Sequence, residues 1–533
     1  MTLLLTFNLS MAVYIAYVFA LSHRYYHMLQ LNSYYNDRYY KWFRDSFKKE
    51  VSAFSMFPIM APCFILLHRL PQYFIFWVVA IAASLYVNLS NTRRGAEKKK
   101  FVYTGRVIRM YITQGVLLLA FTGLGNLLVL YTHEIFPILL LTALAAMAEF
   151  KICWPIVTNT LNAPIERAAR NHYIRDAQRI LSGADGLKVI GITGSYGKTS
   201  CKYILTKLLS EQYNVLMTPE SYNTPMGVVR TVREQWKPGT RYFVCEMGAK
   251  RPGDIREICD IVRPNIGWIT AVGAAHLESF GSIENTARTK YELVDALPSD
   301  GLAVLNYDNE IIAARGADRP RLRYGIENSS LDFWAQDLAY GREGASFTLC
   351  SNKGLRLPLR TKLLGRHNIL NIVGAAALAL HEGVGEQQIA YALERLKPVP
   401  HRLEIHDRGS EILVIDDAFN SNPEGAAEAL RVLGSFDSPM KILISPGMIE
   451  LGDREQEENR LFGERAAAVC DYVIPVGTRR SKPIVEGLRA AGFDEERLFV
   501  AKNLKQALTQ LTKIAVPGSV VLLENDLPDD LEE

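Results

Sequence analysis

A multi-pass α-helical membrane region followed by an α/β region is the architecture this sequence predicts. Three observations carry it. The first 154 residues hold five long apolar runs. A glycine loop, Val189 to Ser200, sits between an apolar, strand-like run (Leu187 to Ile192) and a helix-compatible one (Cys201 to Leu209). Beyond it, short apolar segments alternate with helix-length ones, which implies a mainly parallel sheet covered by helices.

The apolar runs are Leu3–Leu21, Val51–His68, Tyr73–Leu89, Tyr111–Tyr131 and Ile135–Cys153. Each is close to the ~20 residues that cross a bilayer. The first is not a cleavable signal peptide: it lacks a basic start, and its cationic flank (His23, Arg24) lies on the far side. Lys and Arg concentrate in the 21–51 and 90–110 loops and are nearly absent from the alternate ones. Cationic loops stay in the cytoplasm, so the reading is a multi-pass cell-membrane protein with everything after Lys151 on the cytoplasmic side. The basic loops read either as a topology signal or as a contact for anionic membrane lipid. Residues 155–186 form a juxtamembrane connector. Within it Pro164–Leu181 has near-helical apolar spacing and suits a membrane-surface or an ordinary linker helix.

The net charge of +4 on 533 residues gives no indication of a nucleic-acid partner. The seven cysteines are scattered without a Cys-x-x-Cys pair, so neither a zinc ribbon nor a disulfide framework is supported.

The loop Thr193-Gly194-Ser195-Tyr196-Gly197-Lys198-Thr199-Ser200 has the chemistry of a phosphate cradle. Its glycines let backbone N–H groups turn inward. Lys198 supplies a mobile cation, Thr199 a hydroxyl for Mg²⁺, and the following helix N-terminus favours anions. Strand-like runs follow at Arg241–Met247, Ile266–Val272 and Ala303–Leu305. Glu246 ends the first, at the sheet edge where ligands bind. From about Glu404 a second, Rossmann-like α/β unit is expected. Its strands are Ile412–Ile415, Lys441–Ser445, Tyr472–Val476 and Ser519–Leu523, and its helices include Pro423–Leu433 and Glu455–Val469.

Several strings occur in a telling order: the loop, Glu246-Met247-Gly248, Ala275-His276-Leu277-Glu278, Lys290, Leu305-Asn306-Tyr307-Asp308 and Gly365-Arg366-His367-Asn368. Pro400-His401-Arg402-Leu403-Glu404, Asp416-Asp417-Ala418-Phe419-Asn420-Ser421-Asn422-Pro423 and Gly447-Met448-Ile449-Glu450-Leu451-Gly452 follow. Together they resemble the Mur ligases, the ATP-dependent amide-forming enzymes of peptidoglycan precursor synthesis. The last two strings are most similar to the member that adds D-alanyl-D-alanine to UDP-N-acetylmuramoyl-tripeptide. The resemblance covers about residues 188–525. It implies a central ATP-binding domain over 187–402 and a C-terminal domain over 403–533.

The resemblance also implies roles. Lys198 meets the γ-phosphate, and Thr199, Glu246 and His276 serve Mg²⁺. Lys290 matches a family lysine that is often carbamoylated into a metal ligand. Asn306, His367, Asn368 and Asp417 lie on the nucleotide side, and Arg402 reaches the γ-phosphate from the domain junction. For Asn368 and Asn371, capping of a helix over Ile372–Leu380 is the alternative. The expected partners are a cell-wall precursor, UDP- or lipid-linked, and an amino acid or dipeptide. The family's usual UDP-gripping N-terminal domain has no evident counterpart in the first 186 residues. Two other functions stay open: a ligase for another envelope or poly-amino-acid substrate, and a transporter energised by a fused ATPase.

Overall fold

The computed structural model describes residues 2–50, 79, 82, 83, 86, 101–131, 153–219, 222–273, 280–397, 401, 403–406, 412–418, 421, 423–449, 451 and 454–525. The chain divides into two compact units, Met1–His172 and Tyr173–Glu533.

In the first unit the described helices are α1 (Thr2–Leu31), α2 (Asn36–Glu50), α3 (Gly105–Tyr131) and α4 (Cys153–Ser182), whose last turns belong to the second unit. Polar side chains tie them together. Tyr26 Oη donates to Gln114 Oε1 at 3.0 Å and Gln114 Nε2 to Ser22 Oγ at 2.7 Å. Arg109 makes two hydrogen bonds to the Glu166 carboxylate, at 2.7 and 3.0 Å.

These helices correct the membrane reading. Among the described residues one helical segment, 105–127, is long and apolar enough to cross a membrane. The multi-pass region, its cell-membrane localisation and the topology inferred from loop charge are therefore not sustained. The run Leu3–Leu21 forms the start of α1, outside the 105–127 segment; it carries Thr6, Asn8 and Ser10, and Asn8 bonds to Asn126 of α3 at 3.0 Å. Part of the supposed 21–51 loop is helix as well, with Arg38, Lys41 and Arg44 on α2. The runs Val51–His68, Tyr73–Leu89 and Ile135–Cys153 lie outside the described residues, apart from Val79, Ala82, Ala83, Tyr86 and Cys153.

The second unit contains two sheets. The larger is built from β1 (Lys188–Thr193), β2 (Val215–Met217), β3 (Tyr242–Glu246), β4 (Ile266–Ile269), β5 (Leu302–Asn306), β6 (Arg321–Ile326), β7 (Phe333–Gly341), β8 (Gly344–Ser351) and β9 (Arg356–Thr361). The order is β2-β3-β1-β4-β5-β6-β7-β8-β9, parallel as far as β7 and antiparallel in the last two pairs. The helices on it are α5 (Lys198–Leu209), α6 (Pro225–Gln235), α7 (Asp254–Val262), α8 (Ile283–Asp295), α9 (Glu310–Arg315), α10 (Arg366–His381) and α11 (Glu386–Glu394). One face is closed by α5, α10 and α11 around Ile204, Leu205, Trp268 and Ile372. The other is closed by α6, α7 and α8 around Val228, Ile258 and Leu293. A sheet buried on both faces needs near-continuous apolar strands, which β1 and β3 supply.

The smaller sheet has β10 (Glu404–His406), β11 (Leu413–Asp417), β12 (Lys441–Ser445), β13 (Tyr472–Pro475) and β14 (Val520–Glu524), in the order β10-β11-β14-β12-β13. All pairs are parallel except β10 with β11. Helices α12 (Pro423–Ser435), α13 (Glu455–Ala467) and α14 (Lys482–Ala490) cover one face, and α15 (Leu504–Ile514) the other. The α/β expectation and the mainly parallel sheets are met.

Candidate active site

The site begins where β1 ends. In the parallel register Ile192 pairs with Glu246 of β3 and Thr193 with Ile269 of β4, so the loop opens between two strand ends. The connection after β3 crosses β1 to reach β4. That makes this edge the natural ligand crevice.

Loop geometry depends on its glycines. Gly197 has φ +79° and is the N-cap of α5; a Cβ there would lie 2.9 Å from Asn371 Oδ1. A Cβ on Gly194 would lie 2.1 Å from Thr270 Oγ1. With both positions glycine, the loop curls over the first turn of α5, whose free N–H groups face an incoming anion.

The side chains divide between holding the loop and facing the crevice. Thr193 is fully buried, and its hydroxyl donates to Met247 O at 3.0 Å. Ser195 Oγ donates to Gly273 O at 3.2 Å and accepts from Gly273 N at 3.0 Å. The Tyr196 carbonyl accepts from Thr270 Oγ1 at 2.5 Å, while the residue as a whole is 39% exposed. Burial, then the Glu424 carboxylate of α12, pushes the Tyr196 phenol up. Lys198 Nζ donates to Gly194 O at 2.7 Å, folded back over its own loop. Burial lowers its ammonium below the usual lysine range, against the pull of Glu246. Ser200 is half-buried on the first turn of α5.

Thr199 Oγ1 stands 3.2 Å from both Glu246 oxygens. Two further groups grip that carboxylate: Asn223 Nδ2 donates to Oε1 at 3.2 Å, and Lys202 Nζ lies 3.0 Å from Oε2. Sequence reasoning missed both. For Lys202 the signal was a lysine three residues after Thr199, beside the buried stripe Cys201, Ile204, Leu205, Leu208. Lys290 on α8 is 3% exposed, with Nζ 5.7 Å from the Phe280 ring centroid. Burial first, and the Lys198 charge second, lower its amine from 10.5 to about 7.

The outer expected residues are placed unevenly. Asn306 closes β5, donating to Thr270 O at 2.8 Å and accepting from Asp308 N at 3.0 Å, so its amide ties two strand ends together. His367 is exposed on the first turn of α10. Asn368 and Asn371 are not caps: α10 starts at Arg366 with Gly365 as N-cap, one and a half turns before the expected Ile372 start. Asn368 Nδ2 instead bonds back to Leu364 O at 2.8 Å. Asp417 ends β11 and accepts from Leu403 N at 3.1 Å. His276 and Arg402 lie outside the described residues.

The donors suit Mg²⁺. Thr199 and Glu246 offer hard oxygens beside a phosphate loop, and Mg²⁺ is commonly held by one or two such groups plus nucleotide oxygens. Among the described residues no cluster of three or more His, Cys, Asp or Glu could hold a metal by itself.

Comparison with known proteins decides what this site belongs to. The profile of the Mur ligase middle domain matches residues 192–379, and that of the Mur ligase glutamate ligase domain matches 401–524. The UDP-N-acetylmuramoyl-tripeptide–D-alanyl-D-alanine ligase of Mycobacterium tuberculosis H37Rv is 33% identical over 367 residues, 64% of this chain and 71% of the relative. The chain belongs to the Mur ligase family. It is an ATP-dependent ligase that joins a carboxylate to an amine. The Escherichia coli K12 relative of the same name is 32% identical over 342 residues, covering 62% of this chain and 74% of that protein. Among solved structures, Thermotoga maritima MurF in complex with ADP matches with TM-score 0.57 at 26% identity, over 67% of this chain and 80% of that one. Acinetobacter baumannii MurF also gives 0.57 at 26%, over 67% and 77%.

Proposed function

We propose that this Mur ligase adds D-alanyl-D-alanine to the terminal carboxylate of UDP-N-acetylmuramoyl-tripeptide. The reading is carried by Lys198, Thr199 and Glu246 at the β1 and β3 ends, with Lys290 under the influence of the Lys198 charge, in a chain similar to relatives that bear that ligase name.

Carboxylate and amine do not condense in water unaided. The tripeptide carboxylate attacks the γ-phosphorus of ATP, giving an acyl phosphate and ADP. The dipeptide amine then attacks the acyl carbon, phosphate leaves, and the amine gives up its proton. Backbone N–H groups of Gly197 to Ser200 hold the phosphates. Lys198 swings from Gly194 O to the transferring phosphoryl group and offsets its charge. Bound Mg²⁺ would neutralise phosphate charge beside Thr199 and Glu246. His276 completes that set, and Lys290 joins it as a carbamate. The nucleotide lies against Thr193–Ser200, Asn306, His367, Asn368 and Asp417, and Arg402 supplies a second cation.

The test is phosphate release by the purified full-length chain with ATP, Mg²⁺, UDP-N-acetylmuramoyl-tripeptide and D-alanyl-D-alanine. Release should need both substrates together. Release with a lipid-linked acceptor but not the UDP-linked one, or with another amine alone, would overturn the assignment.

A further inference from the structure

The Lys202–Glu246 ion pair is the least expected feature of the site. Lys202 is 0% exposed and Glu246 2%, and Nζ and Oε2 are 3.0 Å apart. Taking two charges out of water costs several kcal/mol per ion, so such a pair is retained only where geometry compensates it or function needs it. Here the carboxylate is held on every side: Lys202 at Oε2, Asn223 at Oε1, and the Thr199 hydroxyl at both. Its backbone N–H is fixed too, donating to Thr218 Oγ1 at 3.0 Å. Lys202 follows Thr199 by one helical turn, so the side chain that pins the carboxylate and the hydroxyl that faces the crevice ride on the same rigid stretch of α5.

We infer that Lys202 is a positioning residue that keeps free Mg²⁺ out of the site until nucleotide arrives. The inference rests on the ATP-site reading above. Its ammonium cancels the Glu246 charge and occupies one of the two carboxylate oxygens. Around Glu246, while Lys290 is an amine, what remains for a divalent cation is one carboxylate oxygen and the neutral Thr199 hydroxyl. Two such donors, without net charge, bind free Mg²⁺ weakly, because the ion gives up its waters reluctantly. A triphosphate brings the missing charge and oxygens. The metal therefore enters with the nucleotide, and Glu246 aligns it without trapping it. The buried cation also holds the carboxylate in place between turnovers, when no metal neutralises it.

The test uses Lys202→Met, which keeps length and removes charge, in the full chain. Thermal unfolding is followed with and without MgCl₂ in the absence of nucleotide, alongside calorimetric titration with Mg²⁺ alone. The wild type should show no Mg²⁺-dependent rise in Tm. Lys202→Met should melt lower without metal, regain part of the loss with Mg²⁺ by mass action, and bind free Mg²⁺ at least about tenfold more tightly, as expected when a nearby like charge is removed. If the single variant folds only with Mg²⁺, that too is the expected direction. The double variant Lys202→Met/Glu246→Gln should fold without metal and be indifferent to it. A Lys202→Met protein with no greater Mg²⁺ response than wild type, or unfolded with and without Mg²⁺, overturns the inference. So does a double variant that retains the response. A separate Mg·ADP arm on the wild type reports the nucleotide site. Failure there refutes the ATP-site reading, whereas a nucleotide shift with no variant-specific Mg²⁺ shift refutes the Lys202 role alone.

Discussion

Replacing Lys290 by Met should remove the pH dependence that this one side chain imposes on stability. Lys290 is 3% exposed, and its amine is lowered to about 7, by burial first and by Lys198 second. In the unfolded chain it returns to 10.5. Between those values the unfolded state binds the extra proton, so wild-type stability rises with pH from about 7 to about 10.5. Below pH 7 both states are protonated, and the penalty for a buried ammonium is fully present. The gap, 10.5 − 7 or about 3.5 units, at ~1.36 kcal/mol per unit, puts that penalty on the order of 4–5 kcal/mol. Methionine has no proton to bind. The variant should therefore be the more stable protein at about pH 6, with its advantage shrinking by roughly 1 kcal/mol per unit above neutrality. Guanidinium midpoints of both proteins, in nucleotide-free and bicarbonate-free buffers from about pH 6 to about pH 9, measure the difference. Adding bicarbonate should stabilise the wild type alone, since only a neutral amine forms a carbamate. Parallel pH profiles for the two proteins would mean an ordinary lysine ammonium and would refute the reasoning.

Lys198→Ala should lower amine-dependent phosphate release by about 10²-fold or more, the scale of losing a transition-state charge partner, with the circular dichroism spectrum unchanged. Gly197→Ala forces a side chain into φ +79° with its Cβ 2.9 Å from Asn371 Oδ1. Binding of a fluorescent ADP analogue should weaken several-fold. Trp268 is fully buried, and its Nε1 donates to Tyr324 Oη at 2.9 Å. Trp268→Ala should destabilise the second unit by ~3–5 kcal/mol in denaturant unfolding, through lost packing and an orphaned hydroxyl.

Apolar strands ending in chemistry-bearing residues were the legible part of the fold. Leu187–Ile192 appears as Lys188–Thr193, and Lys441–Ser445 appears unchanged. The 321–361 region was not legible. β7 is interrupted by Gln336 and Asp337, β8 mixes Ser and Thr among its buried residues, and β9 alternates exposed Arg356, Pro358 and Arg360 with its inner residues, so no long apolar run marks any of them. Helix α10 was placed too late because its first turn, Arg366-His367-Asn368, is polar and begins at a glycine rather than a Ser or Asp cap. In the site, Lys198, Thr199 and Glu246 were legible because loop spacing and a strand end announce them. Lys202 and Asn223 were not, because a side chain that acts by holding another leaves no spacing of its own. The first N-terminal run misled for a related reason: hydropathy averages over Thr6, Asn8 and Ser10, although Asn8 Nδ2 donates to Asn126 Oδ1 of α3 at 3.0 Å.

Lys198 acts on Lys290 in two ways, and they point in the same direction. While Lys290 is an amine, the neighbouring ammonium lowers its proton affinity and so enlarges the neutral fraction able to take up CO₂. Once a carbamate forms, the same ammonium faces an anion instead of a like charge, and the repulsion becomes attraction. Removing Lys198 should therefore weaken carbamoylation at both steps. Burial is the larger cause of the depressed proton affinity, so Lys198→Ala should leave the Lys290 amine still below the ordinary lysine value. Bicarbonate should then raise Tm by less in Lys198→Ala than in the wild type, and not at all in Lys290→Met. ¹³C-bicarbonate NMR provides the chemical readout, as a carbamate carbon that is strongest in wild type, weaker in Lys198→Ala and missing in Lys290→Met. Equal carbamate signals in wild type and Lys198→Ala would assign the activation of Lys290 to burial alone. Lys198 would then be left with its role toward phosphate.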